Sequence, residues 1–195
     1  MVDEVDEKRR DFLIKATTAM GAVGVLAAAV PFVASMLPSE DVSEAGAPIK
    51  VDISKLKPGE QLTVMWRGRP IWIIHRTPEA LESLQDDEDL LRDPSSEVEQ
   101  QPTYARNRFR SIKPEILVLV GICTHLGCIP TYRPDPKSLE PQWPGGFFCS
   151  CHGSKFDMAG RVFKGVPAPI NLEVPSYSYV DDKTLLVGVD HEKNK

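Results

Sequence analysis

Two short segments of the chain concentrate side chains that bind metals. Residues 123–128 read Cys-Thr-His-Leu-Gly-Cys, and residues 149–154 read Cys-Ser-Cys-His-Gly-Ser. Together they hold all four cysteines and two of the four histidines of this 195-residue chain. Each segment offers a thiolate and an imidazole at close spacing, Cys-x-His in the first and Cys-x-x-His in the second. This clustering favours one shared site over scattered use of these residues in a hydrophobic core.

Three chemistries fit these residue types. The two segments could bind zinc with a mixed Cys/His set, or the four cysteines could form two disulfides in any of three connectivities. The third possibility is a [2Fe–2S] cluster with two cysteines on one iron and two histidines on the other, plus one disulfide between the remaining cysteines. A zinc site has no use for the extra cysteines or for Gly127 and Gly153. The pattern therefore favours the cluster, with zinc and two disulfides as the open alternatives.

The surrounding sequence predicts a loop-rich β domain that positions the two segments. Short apolar stretches bounded by turn residues predict strands at Gln61–Trp66, Pro70–His75, Glu115–Gly121, Gly146–Cys149 and Leu185–Val189. Two of these strands lead directly into the Cys/His segments, which should therefore be loops at strand ends. One helix is expected over Glu79–Leu91, capped by Thr77 and begun by Pro78. An acidic, solvated surface segment should follow at Asp86–Gln100.

The N-terminal segment has the features of a membrane anchor. Arg9 and Arg10, followed by a short hydrophobic group, resemble a twin-arginine export signal. The uncharged run Ala16–Leu37 has 22 residues and would span roughly 33 Å as a helix. Basic residues precede this run and acidic residues follow it, which places the N-terminus in the cytoplasm. Cleavage at Ala45-Gly46-Ala47 is the alternative, but that site lies far past the apolar run and directly before Pro48, so we expect the anchor to be retained.

These patterns divide the chain into four parts. We predict a cytoplasmic N-terminus with the export signal at 1–15, a transmembrane helix at 16–37, a flexible hinge linker at 38–48 and a folded domain at 49–195. The cluster-binding part should cover about 121–170. A net charge of −5 argues weakly against nucleic acid as a partner.

The two Cys/His segments resemble the cluster-binding loops of Rieske proteins from quinol:cytochrome c oxidoreductases. The run Gly165–Pro175, which reads GVPAPINLEVP, resembles the proline loop that covers the cluster in that family. The export signal with its anchor and the stretch Arg106–Cys128 are also similar, so the resemblance extends over most of the chain. It implies an all-β fold, a Rieske-type antiparallel β sandwich with a small cluster-binding subdomain, one inserted helix and one N-terminal transmembrane helix.

The resemblance also implies a role for each residue of the site. Cys123 and Cys149 would hold the buried ferric iron, and His125 and His152 the outer, redox-active iron. Cys128 and Cys151 would form the disulfide. Leu126 would shield the cluster between the two histidines, Ser154 would donate a hydrogen bond to a bridging sulfide, and His152 would contact quinol.

Two positions depart from the family pattern. Phe156 stands where many members have a tyrosine that donates a hydrogen bond to a cysteine sulfur, so we expect a lowered reduction potential. Val166 lengthens the proline loop by one residue relative to some members.

The implied function is electron transfer by the iron–sulfur subunit of a quinol:cytochrome c oxidoreductase. One [2Fe–2S] cluster per subunit would accept an electron from quinol and pass it to a c-type cytochrome haem, coupled to proton release across the membrane. The expected partners are cytochrome b and c-type cytochrome subunits in a dimeric complex, with no nucleic acid. The folded domain should lie on the periplasmic side of a bacterial inner membrane.

Three alternatives compete with this function. A Rieske ferredoxin that serves an oxygenase would be soluble and would lack Cys128 and Cys151. The small subunit of a periplasmic arsenite oxidase shares the export signal and the cluster, but should lack the acidic segment and the Gly165–Pro169 loop. A structural zinc module is the third.

Overall fold

The computed structural model describes residues 6–37, 39, 46–86 and 88–191. The chain divides into two compact units, Met1–Glu44 and Ala45–Lys195. Most of the predicted hinge at 38–48 lies outside the described residues, so the hinge stays a prediction.

The described residues of the N-terminal unit form one helix, α1, over Glu7–Ser35. The carboxylate of Asp6 caps it by accepting hydrogen bonds from the backbone N–H groups of Lys8 at 3.1 Å and Arg9 at 3.3 Å. The helix includes Pro31 and buries none of its residues within the structure. Within the described part of the chain it is the one helix long and apolar enough to cross a membrane. It begins nine residues before the predicted apolar span, because the charged residues after the cap also have good helix propensity.

In the second unit, the residues that the structure describes form nine short strands and one α-helix. In chain order they are β1 Ile49–Asp52, β2 Gln61–Trp66, β3 Arg69–His75, α2 Pro78–Asp86, β4 Ile116–Val120, β5 Thr131–Arg133, β6 Gly146–Cys149, β7 Ser154–Phe156, β8 Tyr177–Asp181 and β9 Thr184–Val187. The strands form three antiparallel sheets of three strands, in the orders β1-β9-β8, β2-β3-β4 and β5-β6-β7. The predicted antiparallel β character is confirmed, whereas the packing of the sheets as a sandwich stays a prediction.

The sheet β2-β3-β4 carries the centre of the core. Strands β2 and β3 join through Arg67 and Gly68, both at positive φ (51° and 69°), the geometry of a tight hairpin turn. All five residues of β4 are buried, which explains why this strand reads as a continuous apolar run rather than an alternating one. All five predicted strands are confirmed to within two residues at either end.

The predicted helix Glu79–Leu91 is too long. Thr77 caps α2 as expected, since its hydroxyl accepts from the Ala80 N–H at 3.2 Å, but the helix ends at Asp86 and a 3₁₀ turn follows at Glu88–Leu90. The chain there is a run of four acidic residues, 86–89. Asp is a poor helix former, and neighbouring like charges repel, so the run does not extend the helix.

Candidate iron–sulfur centre

The two Cys/His segments form loops at neighbouring strand ends. The first leaves β4 through Gly121, and the second connects β6 to β7 as the tip of a hairpin in which Cys149 pairs with Ser154. A side chain at Gly121 would overlap the Trp72 ring, so glycine lets the first loop start close against the core. That indole stacks on Phe147 of β6, with 5.2 Å between ring centroids. The sheets that carry the two loops are therefore packed together.

The two loops each contain a backbone turn of the same type. The N–H of Gly127 donates to the carbonyl of Cys123 at 3.0 Å, and the N–H of Gly153 donates to the carbonyl of Cys149 at 2.9 Å. Both glycines have positive φ, +84° and +80°, which favours glycine over other residues. A Cβ at either position would meet nothing within 4 Å among the described residues. The backbone angle, rather than crowding by protein atoms, therefore selects glycine in both loops.

Cys123 and Cys149 are free and buried, each 2% exposed. Burial raises the pKa of the Cys123 thiol; the backbone N–H of His125 opposes this shift, while the adjacent Cys149 thiol adds to it and the Ser154 hydroxyl opposes it. The two thiols thus lie side by side with hydrogen-bond donors around them. A metal would bind them as thiolates and replace their protons. The alternative of two disulfides is wrong, because these two cysteines are not bridged.

The two histidines lie next to each other, with ring centroids 4.7 Å apart and planes at 88°. His152 is exposed and His125 is half-buried. The Nδ1 atom of His125 is buried and makes no hydrogen bond to any described residue. A buried polar atom without a partner is costly in a native protein, and a metal ion would satisfy it.

Cys128 and Cys151 form a disulfide that joins the two loops, as the family resemblance implied. The sulfurs of Cys128, Cys149 and Cys151 lie within 4.8 Å of one another. Two of these three sulfurs are consumed by the disulfide, so this trio offers one thiolate and is not a metal site by itself. A donor set of two thiols and two imidazoles remains.

The loop 165–175 contacts both Cys/His loops. The Thr124 hydroxyl donates to the carbonyl of Ile170 at 2.6 Å, and the Ala168 N–H donates to the Ser154 hydroxyl oxygen at 3.0 Å. The Asn171 side-chain oxygen accepts from the Val162 N–H at 2.9 Å. These bonds hold the loop against the site, as expected for a covering loop.

Comparison with known proteins assigns the family. A family model described as "Rieske [2Fe-2S] domain" matches residues 49–178, and one described as "Ubiquitinol-cytochrome C reductase Fe-S subunit TAT signal" matches residues 2–39. A solved chain titled "Hyperthermophilic respiratory Complex III" is 26% identical, with a TM-score of 0.48, over 87% of this chain and 96% of that one. The ubiquinol-cytochrome c reductase iron-sulfur subunit of Allochromatium vinosum is 57% identical over 95% of this chain and 91% of its own. That of Rhodospirillum rubrum is 45% identical over 94% and 93%.

The chain belongs to the Rieske iron–sulfur subunits of ubiquinol–cytochrome c reductase. Its cofactor is a [2Fe–2S] cluster, and it is the electron-transfer subunit of that oxidoreductase. The residues present fit this group, because two buried thiols and an unpartnered imidazole nitrogen meet at one place. Family membership decides against the oxygenase ferredoxin, the arsenite oxidase subunit and the zinc module.

Two further positions of the Rieske site stay predictions in their exact roles. The oxygen of Ser154 accepts from the Ala168 N–H, and its hydroxyl group faces the Cys123 thiol, so its hydrogen is directed toward the sulfur side of the site, as the predicted bond to a sulfide requires. Phe156 is fully buried and lies two residues further along β7, so it shares the strand face of Ser154. Its side chain belongs to the same buried cluster as Cys123 and Cys149.

Sequence reasoning missed the polar supports around the site. The sequence pattern does not indicate Thr124, whose hydroxyl donates to the loop 165–175, or Asn171 of that loop, which accepts from the Val162 N–H. The buried pair Asp157–Arg161, with Oδ2 and Nε 2.7 Å apart, begins directly after β7, the strand that follows the second loop. Its i, i+4 spacing beside a Cys/His segment was the available signal. The buried Arg76 and Arg110 bond mainly to backbone carbonyls, and no side-chain pattern in the sequence announces such partners.

Proposed function

We propose that Cys123 and Cys149 hold the inner iron of the cluster and that His125 and His152 hold the outer iron. The observation that carries this proposal is the buried Nδ1 of His125, which lacks a partner among the described residues and lies beside a second imidazole. The burial order supports the same assignment, since both thiols are buried and one imidazole is exposed. The cluster-binding subdomain would comprise about 121–170.

We propose that His152 is the contact to quinol. The bound cluster would be the acceptor of one electron from the quinol. The exposed imidazole of His152 can accept a hydrogen bond from a quinol hydroxyl and then hold its proton, because histidine exchanges protons near neutral pH. A cysteine ligand could not fill this role, since its one donor atom, the sulfur, is bound to iron. A histidine ligand keeps a second nitrogen that can take the proton.

The rim of the site is apolar and exposed. Leu126 is 72% exposed and Ile129 is 64% exposed, which is unusual for large apolar side chains grouped on one loop. Leu126 would shield the cluster between the two imidazoles when the domain is free. The same rim would dock on cytochrome b during quinol oxidation and near a c-type haem during electron delivery, in a complex that we expect to be dimeric.

The N-terminal unit would anchor the subunit in the bacterial inner membrane. Residues 1–15 would stay in the cytoplasm, 16–37 would span the membrane, and 38–48 would serve as the hinge to the domain at 49–195 on the periplasmic side. The length and composition of α1 and the charge asymmetry around the apolar run support this orientation.

The ligand set is tested by substitution and spectroscopy on the membrane-extracted protein. His125→Cys and His152→Cys should each destroy or grossly alter the EPR signal of the reduced cluster, because imidazole ligation sets this cluster apart. His75→Asn is the matched control, since the Nδ1 of His75 lies 2.8 Å from the Leu56 carbonyl oxygen, outside the site. A normal spectrum from both cysteine variants, or stoichiometric zinc without iron in the parent protein, would contradict the assignment.

A further inference from the structure

Three arginines are almost completely buried in the folded unit, Arg76, Arg110 and Arg161. Arginine is almost never buried to this extent unless it is paired. Arg161 has a partner in the buried carboxylate of Asp157. Arg110 makes no salt bridge with any described residue, and its hydrogen bonds go to neutral oxygens. Burial lowers the pKa of Arg110 to about 10, so its guanidinium stays charged at neutral pH and needs those bonds.

The guanidinium of Arg110 joins two segments of the Rieske site. Nη1 donates to the carbonyl oxygens of Ala159 at 3.2 Å and Gly160 at 3.3 Å, in the turn that follows β7. Nη2 donates to the carbonyl of Leu172 at 2.6 Å and to the side-chain oxygen of Gln101 at 3.0 Å. Leu172 lies in the covering loop 165–175, so one side chain fastens that loop to the turn.

The covering loop transmits this attachment to the cluster loops. Two residues before Leu172, the Ile170 carbonyl accepts from Thr124, which stands between two proposed ligands. Two residues earlier still, the Ala168 N–H donates to Ser154. If that N–H moved away, the Ser154 hydroxyl would be free to rotate and would no longer be held with its hydrogen available for a sulfur of the cluster.

The backbone of Arg110 adopts a conformation that few residues with a side chain adopt. Its φ is +50°, the left-handed region, which is uncommon for a residue with a Cβ. Strained backbone and a buried cation are both costly, and both persist where the surrounding structure requires them. A planar fork with five N–H donors can reach carbonyls of two segments at once, which a lysine ammonium cannot do in the same geometry.

We propose that Arg110 is a positioning residue of the electron-transfer site, whose guanidinium fixes the covering loop 165–175 and thereby orients the Ser154 hydroxyl toward the cluster. This proposal rests on the proposed ligand set. It differs from a role in stability alone because it requires the reduction potential to depend on Arg110.

The test uses the full-length, cluster-loaded protein in detergent, as Arg110→Gln and Arg110→Lys. Hydrogen–deuterium exchange followed by mass spectrometry should accelerate in peptides that cover 165–172 and stay unchanged in peptides of β3 and β4. The midpoint potential should shift downward in both variants, because the oriented Ser154 donor that favours the reduced state is lost. Retention of the charge in Arg110→Lys should not restore the potential.

Two further variants keep the test decisive. Arg76→Lys is the matched control, because Arg76 is equally buried but donates to Pro114, Phe109, Met158 and Ser111 rather than to the covering loop; it should lower the melting temperature without moving the potential. Gln101→Leu removes one acceptor while Arg110 stays, and it should lower the midpoint potential by a smaller amount. This variant carries the test if the Arg110 variants do not fold.

An unchanged potential in folded Arg110 or Gln101 variants would overturn the proposal. Exchange that accelerates equally in β3, β4 and the covering loop would also overturn it, since Arg110 would then act on the whole fold. Failure of the ligand set would instead appear in the histidine variants and would leave the exchange result readable, so the two failures are distinguishable.

Discussion

Replacement of Phe156 by tyrosine adds one hydroxyl group at a fully buried position on the strand that follows the second Cys/His loop. The ring is retained, so packing should change little. If the new hydroxyl reaches the sulfur of Cys123, as the family resemblance implies, it adds a hydrogen bond that strengthens when the cluster is reduced and its sulfurs gain negative charge. The midpoint potential should therefore rise.

Because Phe156 is buried, a new hydroxyl that bonds to the cluster and one that finds no partner should have different effects. The first should change the midpoint potential, and the second should lower the stability. A net hydrogen bond of about 1 kcal/mol to the reduced state corresponds to roughly 40 mV for a one-electron couple. A buried hydroxyl without a partner would instead cost about 1–3 kcal/mol of stability. For a domain of this size, that cost would lower the melting temperature by roughly 2–12 °C.

Protein-film voltammetry and thermal unfolding of the same samples measure both quantities. Phe163→Tyr is the matched control, because this half-buried ring packs near Trp143, with centroids 6.1 Å apart, outside the cluster of buried residues that contains Cys123. The control should leave the potential unchanged. A Phe156→Tyr variant whose midpoint stays within a few millivolts or falls, with a lower melting temperature, would refute the placement of residue 156 toward the cluster.

Three other outcomes follow from the same structure. Cys128→Ser or Cys151→Ser opens a bridge between residues 23 apart in sequence; the loss of about 3 kcal/mol should lower the melting temperature by roughly 10 °C and reduce the cluster yield, and free thiols at both positions in the loaded parent protein would contradict the bridge. Ser154→Ala should lower the midpoint by about 40 mV, and an unchanged midpoint would show that its hydroxyl donates elsewhere. Alkaline carbonate should leave the full-length chain in membranes but release a chain that begins at Ala47; extraction of both would argue against the anchor.

Local patterns in the sequence predict the sheet β2-β3-β4 at the centre of the core and the two Cys/His loops, but not β1, β7 and β8, which also place buried residues in the core. Strand β4 is a continuous apolar run because all its residues are buried. Gly68 indicates the turn between β2 and β3. Among the four unpredicted strands, β5, over Thr131–Arg133, has three residues and none of them is buried, so its sequence carries no hydrophobic pattern. These strands form because a neighbouring strand supplies hydrogen-bond partners, which is a tertiary effect.

The sequence could predict only the parts of the site that are formed by characteristic side chains. Cysteine and histidine spacing indicated a candidate donor set, whose role as cluster ligands stays a prediction, and the family resemblance implied the disulfide that the structure contains. The covering loop, however, meets the site through the Ile170 carbonyl and the Ala168 N–H, and every residue carries such backbone groups. The role of Arg110 depends on carbonyls 49 and 62 residues away in sequence, so it becomes visible only once the chain is folded.

Pulsed EPR of the reduced protein labelled with ¹⁵N-histidine tests the central claim most directly. Two imidazoles on one iron predict couplings to two histidine nitrogens in the parent protein, and one remaining coupling in either His125→Cys or His152→Cys that still holds a cluster. The His75→Asn control should keep both couplings. Absence of histidine nitrogen couplings in the parent protein, or two couplings that survive in both cysteine variants, would contradict the account.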